Sequence, residues 1–252
     1  CKGSGRNGSI RDNQNGSVPI RFLIPAVKGG LKMISVSIGE ELKARCPQAA
    51  LGCMQCKVKT APSDEVLLEK IHAKIEELAQ IELSQANKRE KIQATRKGYK
   101  ALGKDPNRYR NSAEAMSRRI SKERGLYYIN NVVDANNLLS ITSGYSMGTY
   151  DVKGIVGDVT WERAPEGTAY QGIGKDVLNL EYLPVLFDAE GAFGNPTSDS
   201  TRTMVQDGCE EVLLVYYAFD GAADLPALLE EAKTLFAAHC GGSDFEIKIL
   251  AD

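Results

Sequence analysis

The sequence predicts an α+β fold. Helical patterns gather in the first half of the chain and β-rich runs in the second. The regular strand–helix alternation of a doubly wound parallel sheet is missing, and no internal repeat is present. With 252 residues, 42% of them hydrophobic, the chain can bury one sizeable core without staples.

The elements follow in order. "MISVSIGEELKARCPQAALGCMQCKV" gives a short strand, a helical turn ending before Pro47, and a second strand. "APSDEVLLEKIHAKIEELAQIEL" is a helix capped by Ser63 or Asp64, with Leu67, Ile71, Ile75 and Leu78 on one face. A helical pattern resumes through "ANKREKIQATRKGYKALG" and ends at Gly103, and Pro106 prevents its resumption. "YRNSAEAMSRRISKERG" is another helix, where Asn111 and Glu114 have capping-box spacing. The segment from Asn130 reads as strand or loop into a short helix, turning at Gly144. Strands follow in "GDVTWERA", "YLPVLFDA" and "EEVLLVYYAF", the last two separated by a polar, turn-rich loop. "DLPALLEEAKTLFAAHCGG" is an amphipathic helix started by Asp224 and stopped by Gly241, and "DFEIKILAD" is a closing strand.

Residues 1–32 stand apart. They begin with Cys, are rich in Gly, Asn and Ser, and cannot bury enough apolar surface to offset their ordering entropy. They read as a disordered or expression-derived leader, with Met33 as a natural start and one domain over 33–252. No apolar run reaches the roughly 18 residues of a membrane span, and the leading segment lacks the apolar core of a secretory signal. The expected location is cytoplasmic.

The usual catalytic signatures fail. There is no phosphate loop and no G-x-S-x-G elbow. The two histidines, His72 and His239, both fall on helices outside any motif and read as structural. Cys53-x-x-Cys56 lies in a strand, where side chains three apart face opposite ways; this is no redox or zinc pair. No metal and no cofactor are expected.

Charge is unevenly spread beneath the net −2. Lys88–Arg124 holds thirteen Lys and Arg against four acids, a candidate polyanion footprint or else a solvated helix face. Val205–Asp252 is correspondingly acidic.

What remains are two polar clusters, Asp134–Asp151 and Gly191–Thr203. The stretch "NNVVDANNLLSITSGYSMGTYD", Asn130 to Asp151, is dense in amide and hydroxyl groups yet contains no His, Cys, Lys or Arg. Such loop residues often only cap backbone groups. Neutral donors and acceptors gathered near strands equally suit a small polar ligand, or a water held against an already activated bond.

Ile129-Asn130-Asn131-Val132-Val133-Asp134-Ala135-Asn136-Asn137, followed by Gly144 through Asp151, resembles the B3/B4 domain of the bacterial phenylalanyl-tRNA synthetase beta subunit, and still more the freestanding proteins built of that domain. "IVGDVTWERAPEGTAYQGIG" and "FDAEGAFGNPTSDSTRT" are similar to later parts of the family, so the likeness runs from about Ile34 to Gly242. It implies a B3/B4-type single domain with a mainly antiparallel β core and flanking helices. In the synthetase this domain hydrolyses tyrosine wrongly attached to phenylalanine tRNA. The resemblance therefore implies a trans-editing hydrolase acting on a mischarged aminoacyl-tRNA. The alternative is a non-catalytic module that binds tRNA or an amino acid. No room exists for a complete tRNA ligase core, and neither DNA nor membrane is an expected partner.

An aminoacyl ester is already activated, so the missing nucleophile fits: the protein mainly orients substrate and water. Carried over residue by residue, Asn137 matches the family's pocket Asn and Asn136 stands for its Thr, as the catalytic pair. Asp134 and Asp151 would brace the pocket. Gly148 occupies the place of the family's pocket His. Gly194 and Asn195 lie in its Gly-rich loop, and Asp199, Arg202 and Thr203 would hold the polar end of the substrate. Near Val215 an apolar residue replaces the acid that reads the tyrosine hydroxyl, so tyrosine specificity is not carried over. Arg118, Arg119, Lys122 and Arg124 become candidate contacts for tRNA phosphates.

Overall fold

The apolar run near residue 211 forms the strand around which the other elements are layered. The computed structural model describes residues 31–251. β9 (Glu211–Ala218) lies inside an antiparallel sheet of order β10-β2-β9-β3, completed by β10 (Ser243–Ala251), β2 (Ala50–Lys57) and β3 (Ser146–Asp151). Its side chains alternate between two apolar layers, as the strand period of two requires. Val212, Leu214, Tyr216 and Ala218 meet helices, while Leu213, Val215 and Tyr217 meet a second sheet. That sheet has the order β1-β4-β7-β8: β1 (Val36–Ile38), β4 (Val159–Arg163), β7 (Pro184–Asp188) and β8 (Gly191–Gly194). Its pairs are antiparallel except β1 with β4. The fold is therefore α+β with a mainly antiparallel core.

Cys53 and Cys56 fall in different layers, Cys53 with the second sheet and Cys56 with the helices. Burial pushes both thiols up to about 12, so neither is a nucleophile.

Three helices cover the outer face of the first sheet: α2 (Glu65–Ala79), α5 (Asn131–Ser143) and α6 (Leu225–His239). α6 sits close because Gly52 leaves room; a Cβ there would lie 3.2 Å from Leu225 and 3.3 Å from Leu229. His239 accepts or donates at Asp64 Oδ2, 2.8 Å away, joining the end of α6 to the start of α2. His72 meets the edge of Tyr128 at 5.9 Å. Both histidines serve packing.

The remaining helices are α1 (Glu40–Arg45), α3 (Glu90–Leu102) and α4 (Ser112–Ile120). Asp64 rather than Ser63 caps α2, accepting from Leu67 N. Asn111 caps α4 through Glu114 N, but the Glu114 carboxylate turns to Arg96 instead of closing the capping box. Asp224 precedes α6 without capping it; its carboxylate pairs with Lys91 at 2.5 Å.

The segment from Asn130 departs from expectation. It forms the 13-residue helix α5, with β3 after it. Asn and β-branched residues favour helix weakly, but burial decides: eight of the thirteen residues are buried. Asn130 caps the start through Val133 N, and Gly144 ends the helix at φ 84°. Arg89 donates to the last carbonyls, Ile141 O and Thr142 O. A short hairpin, β5 (Ala169–Gln171) with β6 (Val177–Asn179), was also unexpected, and β8 replaces part of the expected polar loop. The leader expectation for residues 1–32 lies, apart from Leu31 and Lys32, outside the described residues. Among those residues no helix is long and apolar enough to cross a membrane.

Asn131 ties α5 in place with its whole amide: Oδ1 accepts from Ala61 N and Val132 N, and Nδ2 donates to Lys59 O and His239 O. Asn131→Ala leaves buried backbone groups unpaired. It is expected to cost about 3 kcal/mol, measured from urea midpoints with an unchanged m value.

Candidate functional site

The asparagine run divides its labour. Asn131 is spent on the backbone, and Asn130 gives its Oδ1 to Val133 N while also lining the cleft described next. Asp134 is buried and accepts from Ile129 N (3.0 Å) and Ser63 Oγ (2.6 Å), holding α5 to α2 rather than bracing a pocket. One and two residues further round the helix from Ala135, Asn136 and Asn137 point into a cleft of about 620 Å³ between α4, α5, β3 and the 199–207 segment. Thr149 on β3 donates to Asn136 Oδ1 at 3.0 Å, which leaves the Asn136 amide N–H groups free. Asn137 makes no side-chain hydrogen bond among the described residues and lines the cleft.

Apolar groups dominate the rest of the wall: Met116, Met147 and Met204, with Ile129, Val133 and Ile173. Opposite them stands Asp199. Its Oδ1 accepts from the Tyr150 hydroxyl (2.7 Å) and from Asn195 N (3.3 Å), while Oδ2 has no partner among the described residues. The Tyr217 hydroxyl lies 2.5 Å from that of Tyr150 and donates to it, since the Tyr150 proton is given to Asp199. Among the described residues no cation is bonded to this carboxylate, although Lys175 is near enough to act on it electrostatically. Burial pushes its pKa up to about 7, against the lowering effects of the Tyr150 hydroxyl, the Asn195 amide and the Lys175 charge.

Tyr150 is held by two glycines. A Cβ on Gly148 would sit 2.0 Å from its hydroxyl oxygen, and one on Gly194 would sit 2.3 Å from it. Gly148 and Gly194 therefore house Tyr150 and do not reach the cleft as substrate contacts. The position expected to carry a pocket residue is closed by this ring.

Other expected contacts are also placed elsewhere. Asn195 is buried; its Oδ1 accepts from Thr197 N and Ser198 N, and its Nδ2 donates to the Tyr170 hydroxyl and Ser198 O, fixing the loop that carries Asp199. Arg202 forks onto Asp188 with both contacts at 2.9 Å and donates to Gly154 O and Gly191 O, so it has no free face for a phosphate. Thr203 is fully buried, with its hydroxyl unpaired. Asp151 accepts from Lys153 N and lies on a different depression, with Lys57 and Cys209. The structure thus joins Asn136, Asn137 and Asp199 and separates the rest. Thr149 and the methionines were missed. The alternation Met147–Thr149 along β3 places those two on one face, but no local pattern pointed to Met116 on α4 or to Met204.

The basic segment also splits. Arg89, Lys91, Arg96 and Lys104 are engaged internally with carbonyls, carboxylates or an amide. Arg118, Arg119, Lys122 and Arg124 do come together, and with Arg108, Arg110 and Lys175 they line a second depression of about 450 Å³. It adjoins the first. α4 gives Ser112 and Met116 to the cleft and Ala115, Arg118 and Arg119 to the groove. The 195–199 loop likewise gives Asp199 to one and Thr197 to the other.

Residues 94–236, more than half of the chain, match the family model for the B3/4 domain. The chain belongs to the B3/4 domain family. In this B3/4 protein the matched span runs from α3 to α6 and contains both depressions. An N-terminal fragment of the phenylalanyl-tRNA synthetase beta-subunit from Pyrococcus horikoshii is a similar solved structure, at 13% identity and TM-score 0.45; the match covers 90% of this chain and 57% of that one. The B3/4 protein thus spans little more than half of that fragment. No curated protein matches the sequence. Among the described residues, no group of three or more metal-ligating side chains is clustered to hold an ion.

Two outcomes test this geometry. Gly148→Ala forces Tyr150 to move and is expected to cost about 2 kcal/mol by overpacking, read from thermal or urea unfolding. Asp199 keeps its proton to about 7 when folded, against 3.8 for an ordinary Asp. Folding therefore takes up a proton in that window, and this group makes the protein less stable as pH rises through it. Asp199→Asn should remove that slope, measured by urea midpoints at about pH 5 and about pH 8.

Proposed function

We propose that the cleft binds the aminoacyl end of a mischarged tRNA and promotes hydrolysis of its ester. The observation that carries this reading is the convergence of Asn136, Asn137 and the unpaired Asp199 oxygen on one largely apolar cleft. Asn137 and the free Asn136 N–H groups orient the ester and a water, and stabilise the oxyanion that forms on the carbonyl. The free oxygen of Asp199 takes the α-ammonium of the amino acid. The three methionines and their aliphatic neighbours receive an apolar side chain. No nucleophilic side chain is required: the oriented water attacks the ester carbonyl, and the ribose oxygen of the tRNA leaves as a hydroxyl, the neighbouring ribose hydroxyl assisting. Membership of the B3/4 family and the resemblance to the synthetase editing domain support this class of substrate. The adjoining cationic groove supports an RNA partner.

A second reading, a binding module without turnover, is favoured by one observation: Tyr150 fills the space beside Gly148, where the resemblance places a pocket histidine.

Incubation with a panel of cognate and mischarged aminoacyl-tRNAs, following loss of the ester, separates the two. The hydrolase reading expects selective loss of one mischarged species, and Asn137→Ala should slow it about a hundredfold with unfolding unchanged. Ester loss undiminished in that variant overturns the role of Asn137. Binding of tRNA with no ester loss from any species establishes the second reading.

A further inference from the structure

Residues Arg124–Ile129 bridge the two depressions: Arg124 lines the cationic groove and Ile129 lines the cleft. Between them stand two solvent-facing aromatics. Tyr127 is 69% exposed, Tyr128 is 44% exposed, and Ile129 beside them is 65% exposed. Three consecutive large apolar residues facing solvent are costly unless something covers them. Tyr127 is also braced from behind, since the Arg119 guanidinium lies over its ring at 4.0 Å. The Nε of Arg119 is buried without a partner, so this arginine is held by packing rather than by a hydrogen bond there. One face of the Tyr127 ring is thus taken by a cation, and the exposed part is available for stacking. Tyr128 is steadied by the edge contact with His72.

We infer that Tyr127 and Tyr128 form a stacking platform for unpaired bases of a single-stranded RNA end, whose phosphates lie in the groove of Arg118, Arg119, Lys122 and Arg124 and whose terminus enters the cleft at Ile129. The occupant follows from charge and shape together. The groove attracts a polyanion, whereas exposed tyrosines beside it favour flat, unpaired bases over a duplex, whose bases already stack on one another. Arginine behind Tyr127 strengthens the platform, because the attraction of its guanidinium to the ring face holds the ring in place. This inference rests on the RNA partner of the proposed function, but not on turnover.

The test is fluorescence anisotropy of the full chain with a 5′-labelled eight-nucleotide single-stranded RNA ending in CCA, and with the same RNA annealed to its complement. The single strand is expected to bind at least tenfold tighter. Tyr127→Leu and Tyr128→Leu should each weaken it about tenfold, within the range measured for base–aromatic stacking, while leaving the salt slope unchanged. Tyr127→Phe should retain affinity. Arg118→Gln and Arg124→Gln should each lower the slope of log K against log salt by about 0.7. Equal affinity for duplex and single strand, or leucine variants that bind like the parent, would overturn the platform. Ester loss is scored separately: tyrosine-dependent binding without hydrolysis leaves the platform standing and removes the hydrolase, and hydrolysis with tyrosine-independent binding does the reverse.

Discussion

Burial of one antiparallel sheet on both faces is the constraint on which this structure depends. β9 touches helices with one set of side chains and a second sheet with the other, and none of Val212 to Ala218 reaches solvent appreciably. A strand in that position cannot shift register without moving Tyr216 and Tyr217 into each other's layer. β2 and β3 flank β9, and α5 crosses the outer face. The positions of Asn136 on the helix and Thr149 on the strand are therefore set by the core, not by the cleft they line.

The same economy governs the polar groups. Most side chains that looked available for binding are consumed by the fold: Asn131 joins three segments, Asn195 shapes a loop, and Arg202 neutralises a fully buried Asp188 side chain. The exceptions matter because they are few. Asn137 has unused hydrogen-bonding capacity, and Asp199 has one oxygen satisfied by Tyr150 and one left free. A carboxylate oriented by a neutral hydroxyl and a backbone N–H, with no ion pair at contact distance among the described residues, keeps an oxygen open to a positively charged group.

Sequence alone revealed the periodic elements well. The apolar run of β9, the apolar stripe of α2 and the cap at Asn111 each have a local cause and are found where the pattern put them. α5 was misread because its helicity is imposed from outside: its apolar residues surround the axis instead of marking one side, and its amides satisfy distant backbone groups. The hairpin β5–β6 has too few residues for alternation to register. Of the residues the resemblance named, Asn136, Asn137 and Asp199 share the cleft, whereas Arg202, Gly148 and Asp151 do not line it. Whether a charged side chain is free or already paired depends on residues on other elements, such as Asp188 for Arg202, 14 positions away, and no local pattern encodes that. The basic segment shows the same limit, since some of its cations, such as Arg89 and Arg96, are engaged internally while others, such as Arg118 and Arg124, line the groove.

The five described cysteines are all buried, and they occupy different interfaces. Cys53 faces the contact between the two sheets, while Cys56 and Cys240 face the contact between sheet and helices. Two thiols three positions apart on one strand therefore serve as separate natural reporters. A thiol reagent reaches the first only when the sheets part, and the second only when the helical layer lifts. The order in which they become reactive records which layer opens first.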